Sequence, residues 1–92
     1  MNGNKDLIFK ALDDATRRLM LDELSERNEQ TMYELTARLI MKHNLSISRQ
    51  AIAKHVAVLE GAGLVNSVKK GKYRMIVFNN EPLKHLLDGW LK

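Results

Sequence analysis

The chain has 92 residues, 45% of them hydrophobic, and no cysteine. That is enough for one small core-forming domain over residues 1–92, and it excludes disulfides, thiolate metal sites and cysteine nucleophiles. Fifteen Lys and Arg against eleven Asp and Glu give a net charge of +4, while no apolar run approaches the roughly 20 residues of a membrane span.

The first helix is expected over about Lys5 to Leu12, where Leu7, Ile8, Ala11 and Leu12 recur at helical spacing. The segment from Met1 to Asp6 has no charged-then-apolar leader pattern, and a cytoplasmic address follows as the expectation. Asp13-Asp14 breaks the first helix and caps a second, about Ala15 to Ser25, with a stripe of Leu19, Met20 and Leu24. Arg27 to Gln30 reads as a polar turn. Thr31 followed by Glu34 forms a capping-box pattern that opens a third helix through Met32, Leu35, Leu39 and Ile40, ending near Asn44.

Ser48 caps the next helix, Arg49 to about Ala62. Ile52, Val56 and Leu59 fall on one arc, and Arg49, Gln50, Ala53, Lys54 and Ala57 on the opposite side. Gly61-Ala62-Gly63 supplies the stop. Two strands follow, Leu64 to Lys69 and Tyr73 to Phe78, with Lys70-Gly71 between them as a hairpin turn. The last helix runs from about Pro82 to Leu91, with a stripe of Leu83, Leu86, Leu87, Trp90 and Leu91.

The expected fold is mainly α with a small β-hairpin. Two consecutive helices across the short turn Asn44 to Ile47, followed directly by a hairpin, describe a winged helix-turn-helix. In that arrangement the second helix of the pair enters the DNA major groove. Charge agrees with this. Lys42 to Arg74 carries seven basic residues and one acid, Glu60, a net +6, whereas the remainder carries −2. A basic segment on a nearly neutral body is the footprint of a polyanion binder.

These residues resemble the ArsR/SmtB-like winged-helix repressors. The resemblance is carried by Leu12-Asp13-Asp14-Ala15-Thr16-Arg17-Arg18, by Ser48 to Val56, by Val58 to Val65, and by Gly71-Lys72 leading to Phe78-Asn79-Asn80-Glu81-Pro82-Leu83. It covers about Ile8 to Leu91 and implies a homodimeric repressor joined through its first and last helices. The sequence departs from the family pattern in three places. Ala15 stands for a frequent proline and Ala53 for a frequent serine, and Ile40-Met41-Lys42-His43 lengthens the third helix by about a turn, as in a non-metal-sensing branch. The family's cysteine-containing metal motif is missing, with Tyr33-Glu34-Leu35-Thr36 in its region.

Arg49, Gln50 and Lys54 are the candidate base readers, because bidentate pairs to guanine and adenine need such side chains near a helix start. Ala53 lies among them, and Ser48 serves as cap, phosphate ligand or both. Lys69, Lys70, Lys72 and Arg74 are candidate phosphate ligands in the wing; lysines there also protect a short edge hairpin from strand pairing. His55 reads as a packing or phosphate-contact residue. Leu7, Ile8, Leu86, Leu87 and Trp90 are the candidate dimer contacts.

Glu81, His85 and Asp88 share one face of the last helix. His85-x-x-Asp88 resembles half of the family's last-helix metal site, but the other half would fall at Arg74 to Val77, which offer no acid or histidine. A solvated face is the reading, with no cofactor. No phosphate-binding loop or nucleophile elbow points to an enzyme. The function expected is a dimeric repressor that reads a short inverted repeat in double-stranded DNA, the effector being unspecified. A metal-responsive repressor and a protein–protein module are the alternatives.

Overall fold

The computed structural model describes residues 3–91; Met1, Asn2 and Lys92, included in the 1–92 domain reading, lie outside the described residues. The elements are α1 (Gly3–Leu12), α2 (Ala15–Glu26), β1 (Gln30–Thr31), α3 (Met32–Met41), α4 (Arg49–Gly61), β2 (Val65–Lys70), β3 (Tyr73–Phe78) and α5 (Glu81–Leu91). The three strands form an antiparallel sheet in the order β1-β3-β2. This is a winged helix-turn-helix.

Local chemistry sets most of the boundaries. Asp14 caps α2 by accepting from the Arg17 amide at 3.1 Å. Thr31 and Glu34 form the full reciprocal capping box of α3. At the end of α4, Gly63 takes φ +77, which an L side chain resists. Its amide bonds the Glu60 carbonyl and the next amide, Leu64, bonds that of Leu59, both at 2.9 Å. This is the Schellman closure, and it delivers Leu64 into the core.

Asn79, at the far end of the hairpin, returns to the same corner. Its amide bonds the Leu64 carbonyl at 2.8 Å and its side chain the Gly63 carbonyl at 3.1 Å. The hairpin turn is Gly71-Lys72, one residue later than expected, since Lys70 pairs with Tyr73. Gly71 takes φ +62, the conformation a two-residue hairpin requires at its first position.

Alternation along the hairpin divides its faces. Val65, Ile76 and Phe78 lie on the core side, and Ser67, Lys69 and Arg74 continue that side beyond the core.

Three features differ from expectation. Gln30 belongs to a strand, paired with Ile76, and is buried. Its amide nitrogen donates to the carbonyls of Glu23 (3.2 Å) and Arg27 (2.7 Å), and the Arg38 guanidinium donates to its oxygen. A supposed turn residue therefore closes the open end of α2. The third helix ends at Met41 with Lys42 as its C-cap, short of the expected end near Asn44. Ile8, only 4% exposed, is a core residue, so it has little surface left for a partner.

The stop itself is local, with Asn44 at φ +56 and the Leu45 amide bonded back to the Leu39 carbonyl at 3.2 Å, and just beyond α3 the chain is tied to α2. Glu23 on α2 is 3% exposed, and its carboxylate accepts from Lys42 Nζ at 2.8 Å and His43 Nε2 at 2.7 Å. The pair straps the α3–α4 connection onto α2. Hydrogen bonds from Lys42 and then His43 hold the Glu23 carboxyl below its ordinary range, against the opposing effect of burial. With a folded-state pKa below the unfolded value of about 4.3, Glu23 contributes stability that is complete above that value and lost as pH falls through the folded one. Glu23→Gln is expected to lower the urea unfolding free energy by about 1–3 kcal/mol at neutral pH. Exposed Glu26, also bonded to Lys42 at 3.1 Å, should matter by less than about 1 kcal/mol. The Glu23→Gln deficit should shrink as pH drops below about 4; a deficit independent of pH would show that the charge is not its source.

Candidate nucleic-acid interface

The Ser48 Oγ accepts from the Ala51 amide at 3.1 Å, so the cap fixes where α4 begins. No acidic residue occupies the first turn, and the helix dipole leaves positive potential there. Ile52, Val56 and Leu59 are fully buried, which turns Gln50, Ala53, Lys54 and Ala57 outward. Arg49, seven residues before Val56 and so in line with the buried arc rather than opposite it as expected, is exposed because it opens the helix beyond the edge of the core. Arg17, Arg18, Arg38 and Arg74 each bond to the rest of the fold. Arg49, Gln50 and Lys54 have no side-chain partner among the described residues. Their donors face solvent, on a stretch where alanines keep the surface low.

The wing separates the four basic residues into two kinds. Arg74 donates from Nε to Ser67 Oγ at 3.0 Å and from Nη2 to Glu60 Oε1 at 3.2 Å. It thereby neutralises the one acid of the basic segment and braces the wing against α4. Lys70 pairs with Glu29 at 2.8 Å, both ends exposed. Lys69 and Lys72 make no ion pair among the described residues. The Lys72 ammonium lies 5.7 Å from the Tyr73 ring centre, within cation–π range. Lys69 and Lys70 also line the outer strand of the sheet, so protection of that edge remains compatible with a role toward a ligand.

One feature of the site was missed in the sequence. The Arg17 guanidinium donates to the carbonyls of Ala11 (2.8 Å) and Lys10 (3.1 Å) and to His55 Nδ1 (2.9 Å). Arg18 donates to the Leu12 carbonyl at 2.6 Å. The two arginines satisfy the carbonyls that end α1, and Arg17 joins that end to α4. Two consecutive arginines one turn beyond a helix break were the available signal.

A second surface lies on α1 and α5. Leu7, Phe9, Leu87, Trp90 and Leu91 are exposed, Trp90 at 59%, and Leu86 is half-buried. The Phe9 and Trp90 rings stack at 5.8 Å. No residue of α5 is buried. Along its polar side, His85 Nε2 comes within 3.9 Å of Glu81 Oε1. No group of three potential metal ligands occurs among the described residues.

No family model matches the chain. It is 74% identical, over all 92 residues and the full length of both proteins, to the HTH-type transcriptional regulator YuzN of Bacillus subtilis (strain 168). Among solved structures it is similar to an ArsR-like transcriptional regulator from Rhodococcus sp. RHA1, with 35% identity, TM-score 0.80, and 96% of this chain and 76% of that one covered. An ArsR family transcriptional regulator matches at 30% identity and TM-score 0.78, covering 99% of this chain and 86% of the other. HlyU from Vibrio cholerae follows at 25% identity and TM-score 0.72, covering 97% and 89%.

The Arg17 fork gives a stability test. Its side chain is 12% exposed, and lysine keeps the charge but not the planar set of donors. Arg17→Lys is expected to cost at least about 2 kcal/mol in urea unfolding. Arg18→Lys, on an exposed residue, should cost less than about 1 kcal/mol. Equal losses at the two positions would mean that the link to α4 contributes nothing.

Proposed function

Because the chain belongs to the ArsR family of winged-helix transcriptional regulators, we propose that it is a homodimeric repressor that reads a short inverted repeat in DNA through α4. The observation that carries the reading is the exposed start and outer face of α4, where Arg49, Gln50 and Lys54 are unengaged while four of the five other arginines, all but Arg27, are bonded internally. Arg49 is suited to the O6/N7 pair of guanine and Gln50 to the N6/N7 pair of adenine. Ala53 and Ala57 let the helix approach closely and offer methyl contacts to thymine. The Ser48 hydroxyl keeps its proton for a phosphate. In the wing, Lys69 and Lys72 hold the backbone, while Lys70 and Arg74 contribute less because they already have partners.

The exposed apolar surface of α1 and α5 is the proposed dimer seam, with Phe9 and Leu91 added to Leu7, Leu86, Leu87 and Trp90. A chain of this size buries only about 60% of its unfolded surface, so covering that surface adds stability as well as symmetry. Two copies of α4 would then address major grooves about one helical turn, ~34 Å, apart. Repression follows from occupying the promoter. The Glu81, His85 and Asp88 face stays solvated in this reading, with no metal required.

Binding to a duplex selected from a random pool, and to a scrambled one, across a salt series separates the roles. Arg49→Ala or Gln50→Ala is expected to cost about 1–3 kcal/mol per half-site on the selected duplex only. Lys69→Ala and Lys72→Ala should weaken both duplexes and flatten the salt dependence by about one unit per lost phosphate contact, with Lys70→Ala milder. Loss of sequence preference in the lysine variants, with uniform weakening in Arg49→Ala, would reverse the assignment.

For the dimer, a seam burying about 1,200–2,000 Å² is expected, and Trp90→Ala should weaken association by about 2 kcal/mol or more. Sedimentation that finds a monomer at micromolar concentration, bound to DNA as a monomer, would remove the dimer from the proposal.

A further inference from the structure

The histidine at the margin of the α4 face, read from the sequence as a packing or phosphate-contact residue and bonded to Arg17, has one ring nitrogen whose role is not yet assigned. His55 is half-buried and lies one residue, about 100° around the helix, from exposed Lys54. Its Nδ1 is 2.9 Å from Arg17 Nη1. A guanidinium only donates, so Nδ1 is the acceptor and carries no proton. In the neutral ring the proton then sits on Nε2, which becomes a donor. Nε2 has no partner among the described residues, yet no buried polar side-chain atom there lacks one. Nε2 therefore keeps some solvent exposure.

The ring is also held in place. Arg17 is fixed from α1 by the Ala11 and Lys10 carbonyls and faces Asp14 at 3.9 Å. The result is an oriented N–H on the flank of the helix, with Arg17 on one side and Lys54 on the other. The flanks of a helix seated in the major groove face the sugar–phosphate walls.

We propose that His55 is a further DNA-contacting residue, its Nε2–H donating to a backbone phosphate oxygen, with Arg17 as the positioning residue that holds this tautomer and orientation. The contact fixes register rather than sequence. It also differs from a lysine contact, because a neutral donor displaces no counterion. The inference rests on the DNA-binding reading above.

The test is fluorescence anisotropy with the whole chain, the selected and scrambled duplexes, and several salt concentrations. His55→Asn keeps an acceptor near the Nδ1 position for Arg17 and removes the Nε2 donor; His55→Gln keeps a donor near the Nε2 position. The asparagine variant is expected to unfold at the wild-type urea midpoint. It should bind both duplexes more weakly by the same factor, roughly three- to tenfold for each subunit making the contact. The salt slope should not change, and the glutamine variant should recover part of the affinity.

Wild-type affinity in His55→Asn overturns the proposal, and so does a loss confined to the selected duplex. A salt slope reduced by about one per subunit overturns the neutral tautomer. If the asparagine variant is unstable, His55→Gln against His55→Ala decides, equal affinities overturning the contact. Wild-type protein that binds neither duplex defeats the DNA-binding reading itself, a separate result.

Discussion

The constraint on which the structure depends is that α4 must give one face wholly to the core and keep the other wholly free. Ile52, Val56 and Leu59 have no exposure at all, and α1, α2 and β2 pack around them. Apolar burial is non-directional, so it holds the helix down without choosing its rotation or its ends. Directional bonds make those choices. Ser48 sets the start, the Gly63 closure sets the stop, and Arg17 fixes the middle from the side. Glu23 anchors the connection that leads into the helix.

What was legible in the sequence follows the range of each interaction. The Ser48 cap, the Thr31–Glu34 box and the stop around Gly63 act within a few residues, and their side chains advertise the geometry they impose. The apolar arc of α4 was equally plain, because helical periodicity is itself local. Gln30, Arg17 and Glu23 act across 8, 38 and 20 residues of chain. Nothing adjacent to them in sequence distinguishes a buried strap from a polar turn or a solvated charge. The stop of α3 was legible because Asn44 takes the left-handed conformation of a helix end, whereas the tie from Lys42 and His43 was not, since its partner lies on another helix.

Charge was read correctly as a total and incompletely as a distribution. The +6 segment is real, but Lys42, Lys70 and Arg74 have acidic partners. The cations of that segment left open are Arg49 and Lys54 on α4 and Lys69 and Lys72 in the wing. A net charge counts residues; a surface potential counts those whose partners are absent. The apolar residues of α5 show the same distinction. Periodicity identified the stripe, but only the fold shows that Leu83 and Leu86 pack partly against the core while Leu87, Trp90 and Leu91 stay uncovered, and that Ile8 belongs inside.

The corner where Gly63, Leu64 and Asn79 meet joins the last turn of α4 directly to both strands of the wing. No flexible segment intervenes, and Arg74 adds a second brace to Glu60. Helix and wing therefore behave as the two jaws of a fixed calliper, whose opening is set by backbone geometry. If α4 and the wing engage DNA together as proposed, a sequence whose groove does not match that opening has to be bent or twisted to fit, and the elastic cost falls on the duplex. Base steps that neither jaw touches would then influence affinity through their stiffness alone.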